Sequence, residues 1–202
     1  METPDLARVR AALAAREPAR VTDPVSSRAA VALILRGGPT GLDVLFIRRA
    51  EDARDPWSGQ MAFPGGRSER GDADLRMTAM RETAEEIGLD LLREAEYLGS
   101  LDEVRAMARL RPMDLAITPF VFHIRGGAAP TTPGEEVTSV HWLPLASLLS
   151  PEARSTYEYR HEGGVLSFPS LRIQDVVIWG LTYRMLGSFT AVLGFGDGPP
   201  RP

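Results

Sequence analysis

The sequence predicts one mixed α/β domain, on three observations. Short apolar runs at residues 30–35 and 42–47 have strand length and are bounded by turn residues. The segment 72–87 instead carries Leu75, Ala79, Met80, Thr83 and Ile87 at the three-to-four spacing of a helix with one buried face. The chain has 202 residues, 44% of them hydrophobic, which is enough for one sizeable core, and no internal repeat or composition break divides it.

In chain order, Leu6, Val9 and Leu13 predict a short amphipathic helix over residues 4–16, ended by Pro18. Residues 30–35 and 42–47 predict a hairpin, because Gly37, Gly38, Pro39 and Gly41 between them are turn formers. Asp72 is placed to cap the helix that follows, and Gly88 stands where a left-handed terminal residue belongs. Strands are predicted at 96–104, 115–124 and 137–142, with a Gly-, Ala-, Pro- and Thr-rich mobile loop at 126–134. A short helix at 144–149, a second hairpin at 156–160 and 165–168, and a last helix at 173–186 complete the pattern. We divide the chain into a lead-in of residues 1–27, a domain of 28–190 and a flexible tail of 191–202.

Composition excludes several classes of function. With 27 Asp and Glu against 23 Lys and Arg, the net charge of −4 does not suit a chain that grips nucleic acid through bulk positive charge. No cysteine is present, so disulfides, thiolate zinc sites, iron–sulfur clusters and cysteine nucleophiles are absent. His123, His141 and His161 match no zinc spacing and read as structural. No run approaches the roughly 20 apolar residues of a membrane span, and no signal segment opens the chain, so the expected location is the cytoplasm.

The chemistry concentrates in residues 65–89. Glu82, Glu85 and Glu86 fall at i, i+3 and i+4, on one helix face and in its last two turns. Carboxylates there oppose the helix dipole and repel one another, at about 0.3–1 kcal/mol each. Arg81 offsets part of this; a hard divalent cation such as Mg²⁺ or Mn²⁺, which takes carboxylate and phosphate oxygens, offsets it better. A bare triplet of this kind is also what a solvated helix face looks like.

The run Arg81-Glu82-Thr83-Ala84-Glu85-Glu86-Ile87-Gly88-Leu89, preceded by Phe63-Pro64-Gly65-Gly66, resembles the Nudix box. Two departures stand out: Asp72 replaces the usual glutamate, with eight rather than seven residues between it and Arg81, and Thr83 stands where an aliphatic residue is usual. The longer spacing is similar to that of the coenzyme A diphosphatase branch. Leu45-Phe46-Ile47-Arg48-Arg49-Ala50, Gly59-Gln60-Met61-Ala62-Phe63-Pro64 and Val177-Ile178-Trp179-Gly180-Leu181-Thr182 resemble the same branch. Ile47, Trp57 and the stretch from Arg54 to Gly59, one residue longer, depart from it in the part tied to coenzyme A specificity.

The resemblance implies an α/β/α sandwich with a curved mixed sheet. It also implies Mg²⁺- or Mn²⁺-dependent hydrolysis of a nucleoside diphosphate linked to another group, with a small nucleotide as substrate. Coenzyme A leads, giving 3′,5′-ADP and 4′-phosphopantetheine; ADP-ribose or NADH is the alternative, and a silent nucleotide-sensing domain is the rival outside catalysis. Glu82, Glu85 and Glu86 are the implied metal ligands, with a backbone carbonyl at Gly66. Gly65, Arg81 and Gly88 are the implied structural residues, and a homodimer is implied by analogy. Two readings of the general base stay open, Glu85 or a loop acid, Glu135 or Glu136. Arg48, Arg49, Arg54 and Arg67 are candidates for phosphate contact, Trp57 for stacking on a base, and Tyr157, Tyr159 and Phe168 for a pocket wall. Trp142 and Trp179 read as core.

Overall fold

The computed structural model describes residues 4–53, 55, 57–108, 111–126, 131–161 and 163–195. Helix α1 (Leu6–Ala14) starts at Asp5, whose carboxylate accepts the Arg8 N–H, and buries Val9 and Leu13. Strands β1 (Ser27–Gly38) and β2 (Gly41–Arg49) form the predicted hairpin. Then come β3 (Met61–Ala62), β4 (Gly65–Arg67), helix α2 (Leu75–Ile87), the short helix α3 (Leu91–Glu94), β5 (Ala95–Ser100), β6 (Val104–Ala108), β7 (Arg111–Ile124) and β8 (Val137–Pro144). The chain continues through α4 (Leu145–Leu149), a 3₁₀ turn at Pro151–Ala153, β9 (Arg154–His161), β10 (Gly164–Ile173), β11 (Val176–Trp179) and α5 (Gly180–Val192).

Eight strands make one mixed sheet, with β3-β2-β1-β7-β5 as its main path and β4, β6 and β8 paired to β1, β7 and β2. Strand β1 runs parallel to β7 and antiparallel to β2 and β4. Strands β9, β10 and β11 form a separate antiparallel sheet. Alternation along β1 sorts its side chains into two cores. Ala29, Val31, Leu33 and Leu35 join the layer that holds α1, α4 and α5, while Ala30, Ala32 and Ile34 join Ala79, Met80 and Ile87 of α2. Helices thus cover both faces of the sheet, as an α/β/α sandwich requires.

Three expectations are corrected. The α2 cap is Asp74, which accepts the Met77 N–H at 2.8 Å; Asp72 is occupied elsewhere. The last helix begins at Gly180, because the β-branched and aromatic run 176–179 pairs with β10 as a strand and Gly180, at φ +63°, ends it. Trp142 and Trp179 are half-buried rather than core: Arg36 lies over the Trp142 ring, and Trp179 stacks on Tyr157 at 4.1 Å.

The segment before β8 meets the end of α2. Within the described residues 131–136, Thr132 and Gly134 donate their N–H groups to the carbonyls of Ile87 and Glu86, each at 2.8 Å. These two bonds satisfy free carbonyls at the end of α2, while residues 127–130 of the expected loop lie outside the described residues. The lead-in is also held: Arg20, Arg28, Val21 N–H and the Thr118 hydroxyl all donate to buried Glu103. Burial alone would raise the Glu103 carboxyl, but these four donors hold it below the ordinary carboxylate range. No helix among the described residues is long and apolar enough to cross a membrane.

Candidate active site

The glycine pair fits where other residues would not. Strand β4 lies against β1, and Gly65 takes φ +150° with its Cα so close to β1 that an added Cβ would strike the Ala30 carbonyl and the Val31 backbone. An added Cβ on Gly66 would instead fall inside the Glu82 carboxylate. Small Ala30 and Ala32 under α2 allow this close approach of strand and helix. At the far end of α2, Gly88 adopts the left-handed conformation at φ 70° and donates to the Ala84 carbonyl.

Arg81 organises the helix and the loop before it. Its guanidinium grips Asp72, reaches Glu82 Oε1 and Glu85 Oε2, each at 3.0 Å, and donates to the Arg67 carbonyl at 3.1 Å. Asp72 also accepts the Glu69 N–H and the Thr78 hydroxyl. Thr83 is fully buried, and its hydroxyl bonds the Ala79 carbonyl at 2.6 Å, so the unusual polar residue stays satisfied inside the helix.

A cavity of about 390 Å³ opens beside these residues. Gly65, Gly66, Glu82, Glu86, Glu136, Arg49, Arg67 and Asp55 form its polar part; Ala29, Val31, Met61, Phe63, Leu115, Ile117, Leu181 and Met185 form an apolar wall. Glu86 is 5% exposed, with Oε2 accepting the Gly65 N–H at 2.8 Å. Burial pushes its carboxyl up to about 7, against the pull of Gly65 N–H and Arg49, and the negative charges of Glu82 and Glu136 add to the rise. Burial raises Glu82 as well, opposed by Arg81.

The structure divides the residues singled out from sequence. Glu82, Glu86, Glu136, Gly65, Gly66, Arg49, Arg67 and Trp57 line the cavity. Glu85 does not; its side chain is 59% exposed and turned onto Arg81. Glu135 is exposed and outside the cavity lining, and Arg48 points to Asp175 instead. Arg54 lies outside the described residues. Tyr157, Tyr159 and Phe168 gather around Trp179 on the β9–β11 sheet and are not part of the cavity lining. The Trp57 indole lines the cavity and donates to the Met107 carbonyl at 3.2 Å. Sequence reasoning did not assign Asp55, Thr182 or the apolar wall to the site; the wall is built from i, i+2 pairs at 29/31, 61/63 and 115/117 and the i, i+4 pair 181/185, which only the fold brings together.

Among the described residues, no group of three or more His, Asp or Glu side chains is already gathered as an ion site. The glutamate triplet is split because Arg81 draws Glu85 away along the helix. The remaining donor set still suits a hard divalent ion: Glu82 and Glu86 are desolvated oxygen donors on one helix face, against a glycine backbone that no Cβ crowds.

Comparison with known proteins agrees with this architecture. The family model described as the NUDIX domain matches residues 26–161, more than half of the chain. A Schizosaccharomyces pombe protein, uncharacterized protein C14C4.10c, is 40% identical over 114 residues, which are 55% of this chain and 35% of that one. The human mitochondrial coenzyme A diphosphatase NUDT8 is 30% identical over 83% of this chain and 68% of its own. The mouse protein of the same name is 32% identical over 81% of this chain and 78% of its own. The chain thus spans about a third of the yeast relative's length and more of the mammalian ones. With the box helix, its glycine floor and the mixed sheet accounted for, the chain belongs to the Nudix family.

Proposed function

We propose that the chain is a pyrophosphohydrolase that uses Mg²⁺ or Mn²⁺ to hydrolyse a nucleoside diphosphate linked to another group. The reaction class rests on one observation: two desolvated carboxylates, Glu82 and Glu86, face Gly65 and Gly66 in a cavity that also holds Glu136 and two arginines. Coenzyme A or a derivative is the proposed substrate, giving 3′,5′-ADP and 4′-phosphopantetheine. The two mammalian relatives named as coenzyme A diphosphatases support this, as does the apolar wall, which suits an uncharged arm beyond the diphosphate.

Glu82 and Glu86, with a backbone carbonyl at Gly66, would hold the ion. Bound there, it supplies charge neutralisation to the diphosphate and acidity to a water. Arg49 and Arg67 orient phosphate oxygens through guanidinium N–H groups. Glu136, which lines the cavity on a segment pinned to α2, is the proposed base and takes the proton of the attacking water. Glu85 is the weaker choice for that role, since Arg81 holds its carboxylate and it lies outside the cavity lining.

Product analysis by mass spectrometry tests the proposal, with coenzyme A, ADP-ribose and NADH each incubated with Mg²⁺ and with Mn²⁺. Release of 3′,5′-ADP at a kcat/KM well above the other two is the expected result. Cleavage of ADP-ribose or NADH with coenzyme A intact would overturn the substrate and keep the reaction. Tight binding with no cleavage of any of them would favour the silent sensing domain.

A further inference from the structure

Asp55 was not marked by any motif, yet it occupies a junction. Its Oδ2 accepts Arg49 Nε at 2.7 Å, while its Oδ1 accepts the Trp57 backbone N–H at 2.9 Å. The carboxylate is 17% exposed and lines the same cavity as Glu86. Arg49 therefore has two acidic neighbours at unequal distances. It makes a short charge-assisted bond to Asp55, but Nη1 stands 3.7 Å from Glu86 Oε1, beyond hydrogen-bond length. Glu86 spends Oε2 on the Gly65 N–H, and among the described residues Oε1 accepts no hydrogen bond.

From this arrangement we infer that Asp55 is a positioning residue that holds Arg49 away from Glu86, keeping Glu86 Oε1 open to a divalent cation. The inference rests on the metal-site reading given above. A planar guanidinium anchored at Nε can swing only within the limits set by that bond. Without the Asp55 charge, the nearest anion is Glu86, and full pairing of Arg49 with Oε1 would fill the position a cation needs. Asp55 thus competes for the arginine with the residue it protects. Its second oxygen is bonded to the Trp57 N–H, two residues on.

Mn²⁺ binding measured by isothermal titration calorimetry, with no substrate present, tests this through a four-protein cycle: wild type, Asp55→Asn, Arg49→Gln and the double variant. Asparagine retains a carbonyl oxygen for the Trp57 N–H and puts an amide NH₂ where Oδ2 accepts Arg49 Nε, so the charge and the bond to Arg49 are removed together. We expect Asp55→Asn to weaken Mn²⁺ binding on the order of tenfold. In the Arg49→Gln background the same substitution should change it less than twofold, because the competing arginine is gone. A merely structural Asp55 would lower affinity equally in both backgrounds, and that result, or an unchanged affinity in Asp55→Asn, overturns the inference. Should Asp55→Asn not fold, Asp55→Ser is held to the same two criteria. Wild-type protein that binds no Mn²⁺ would instead overturn the metal site itself, and the role of Asp55 with it.

Discussion

Arg81 holds Asp72 with two guanidinium nitrogens at once, Nε 3.0 Å from Oδ1 and Nη2 3.1 Å from Oδ2. This fork joins the middle of the box helix to the loop ahead of it across nine residues of sequence. Both partners are largely buried, and the Arg81 guanidinium holds the Asp72 carboxyl far below the ordinary carboxylate range, against the opposing effect of burial.

Replacing Arg81 by lysine keeps the charge and loses the fork. We expect Arg81→Lys to cost about 1–3 kcal/mol of stability, read by urea denaturation. Because the Asp72 pKa is depressed in the folded state, its contribution is fully present above the unfolded value near pH 4 and is lost as pH falls below it. Wild type should therefore lose more stability than Arg81→Lys between about pH 5 and pH 2. Parallel acid profiles for the two proteins would argue that the fork is energetically silent.

Glu86 gives the opposite slope. Its carboxyl is raised to about 7 in the fold, so the folded state binds more protons than the unfolded state between roughly pH 4.5 and 7. The Glu86 contribution to stability in chelator should then be greatest below that window and decline as pH rises through it. Glu86→Gln keeps an oxygen for the Gly65 N–H and sheds the buried charge. At pH 8 without metal it should be more stable than wild type by about 1–3 kcal/mol, with the advantage gone near pH 4.5. Equal denaturation midpoints at pH 8 would contradict the buried-charge account.

Adding Mn²⁺ should reverse that ranking. Wild type is expected to gain stability with ion concentration, by about 2.7 kcal/mol at one hundred times the dissociation constant. Glu86→Gln should gain little and lose turnover. Thermal shifts of similar size in both proteins would move the ion site elsewhere.

The two adjacent glycines should fail in different ways. Gly65→Ala forces a Cβ into the backbone of β1 and should destabilise the fold by about 2–3 kcal/mol. Gly66→Ala has the Glu82 carboxylate as its nearest neighbour, a side-chain end that can move, so the fold should survive while Mn²⁺ affinity drops more than tenfold. Denaturation and calorimetry on the same two samples separate these outcomes; a fold lost at Gly66 and spared at Gly65 would invert the packing described.

For the base, Glu136→Gln is expected to lower kcat by about 10²–10⁴-fold with Mn²⁺ binding intact. Glu85→Gln should cost less than tenfold, since its carboxylate serves Arg81 outside the cavity. The reverse order in pre-steady-state rates would give the role to Glu85.

Much of this architecture was legible because it depends on local chemistry. The apolar run at 30–35, the turn formers at 37–41, the helix ending at Gly88 and the grouping of acids on α2 are each set by residues within a turn or two of one another. The errors share a cause as well. Asp72 reads as the cap, but Arg81 claims its carboxylate from across the loop and Asp74 fills the capping position. Residues 176–179 read as helix until an edge of β10 was available to pair with them. Asp55 acts across a turn on Arg49, and the segment 132–136 is ordered by carbonyls at the end of a helix some fifty residues earlier, so neither left a local mark.

Strand β1 serves two masters: its odd residues seal one hydrophobic layer and its even residues the other. The layers therefore share a backbone and cannot melt in sequence, since withdrawing β1 from one strips the other. This architecture calls for all-or-none unfolding, with β1 amides exchanging hydrogen only through global opening. The glutamate helix and the α5 wall are thus fastened to a common spine, and the pocket between them should hold its shape up to the temperature at which the whole molecule gives way.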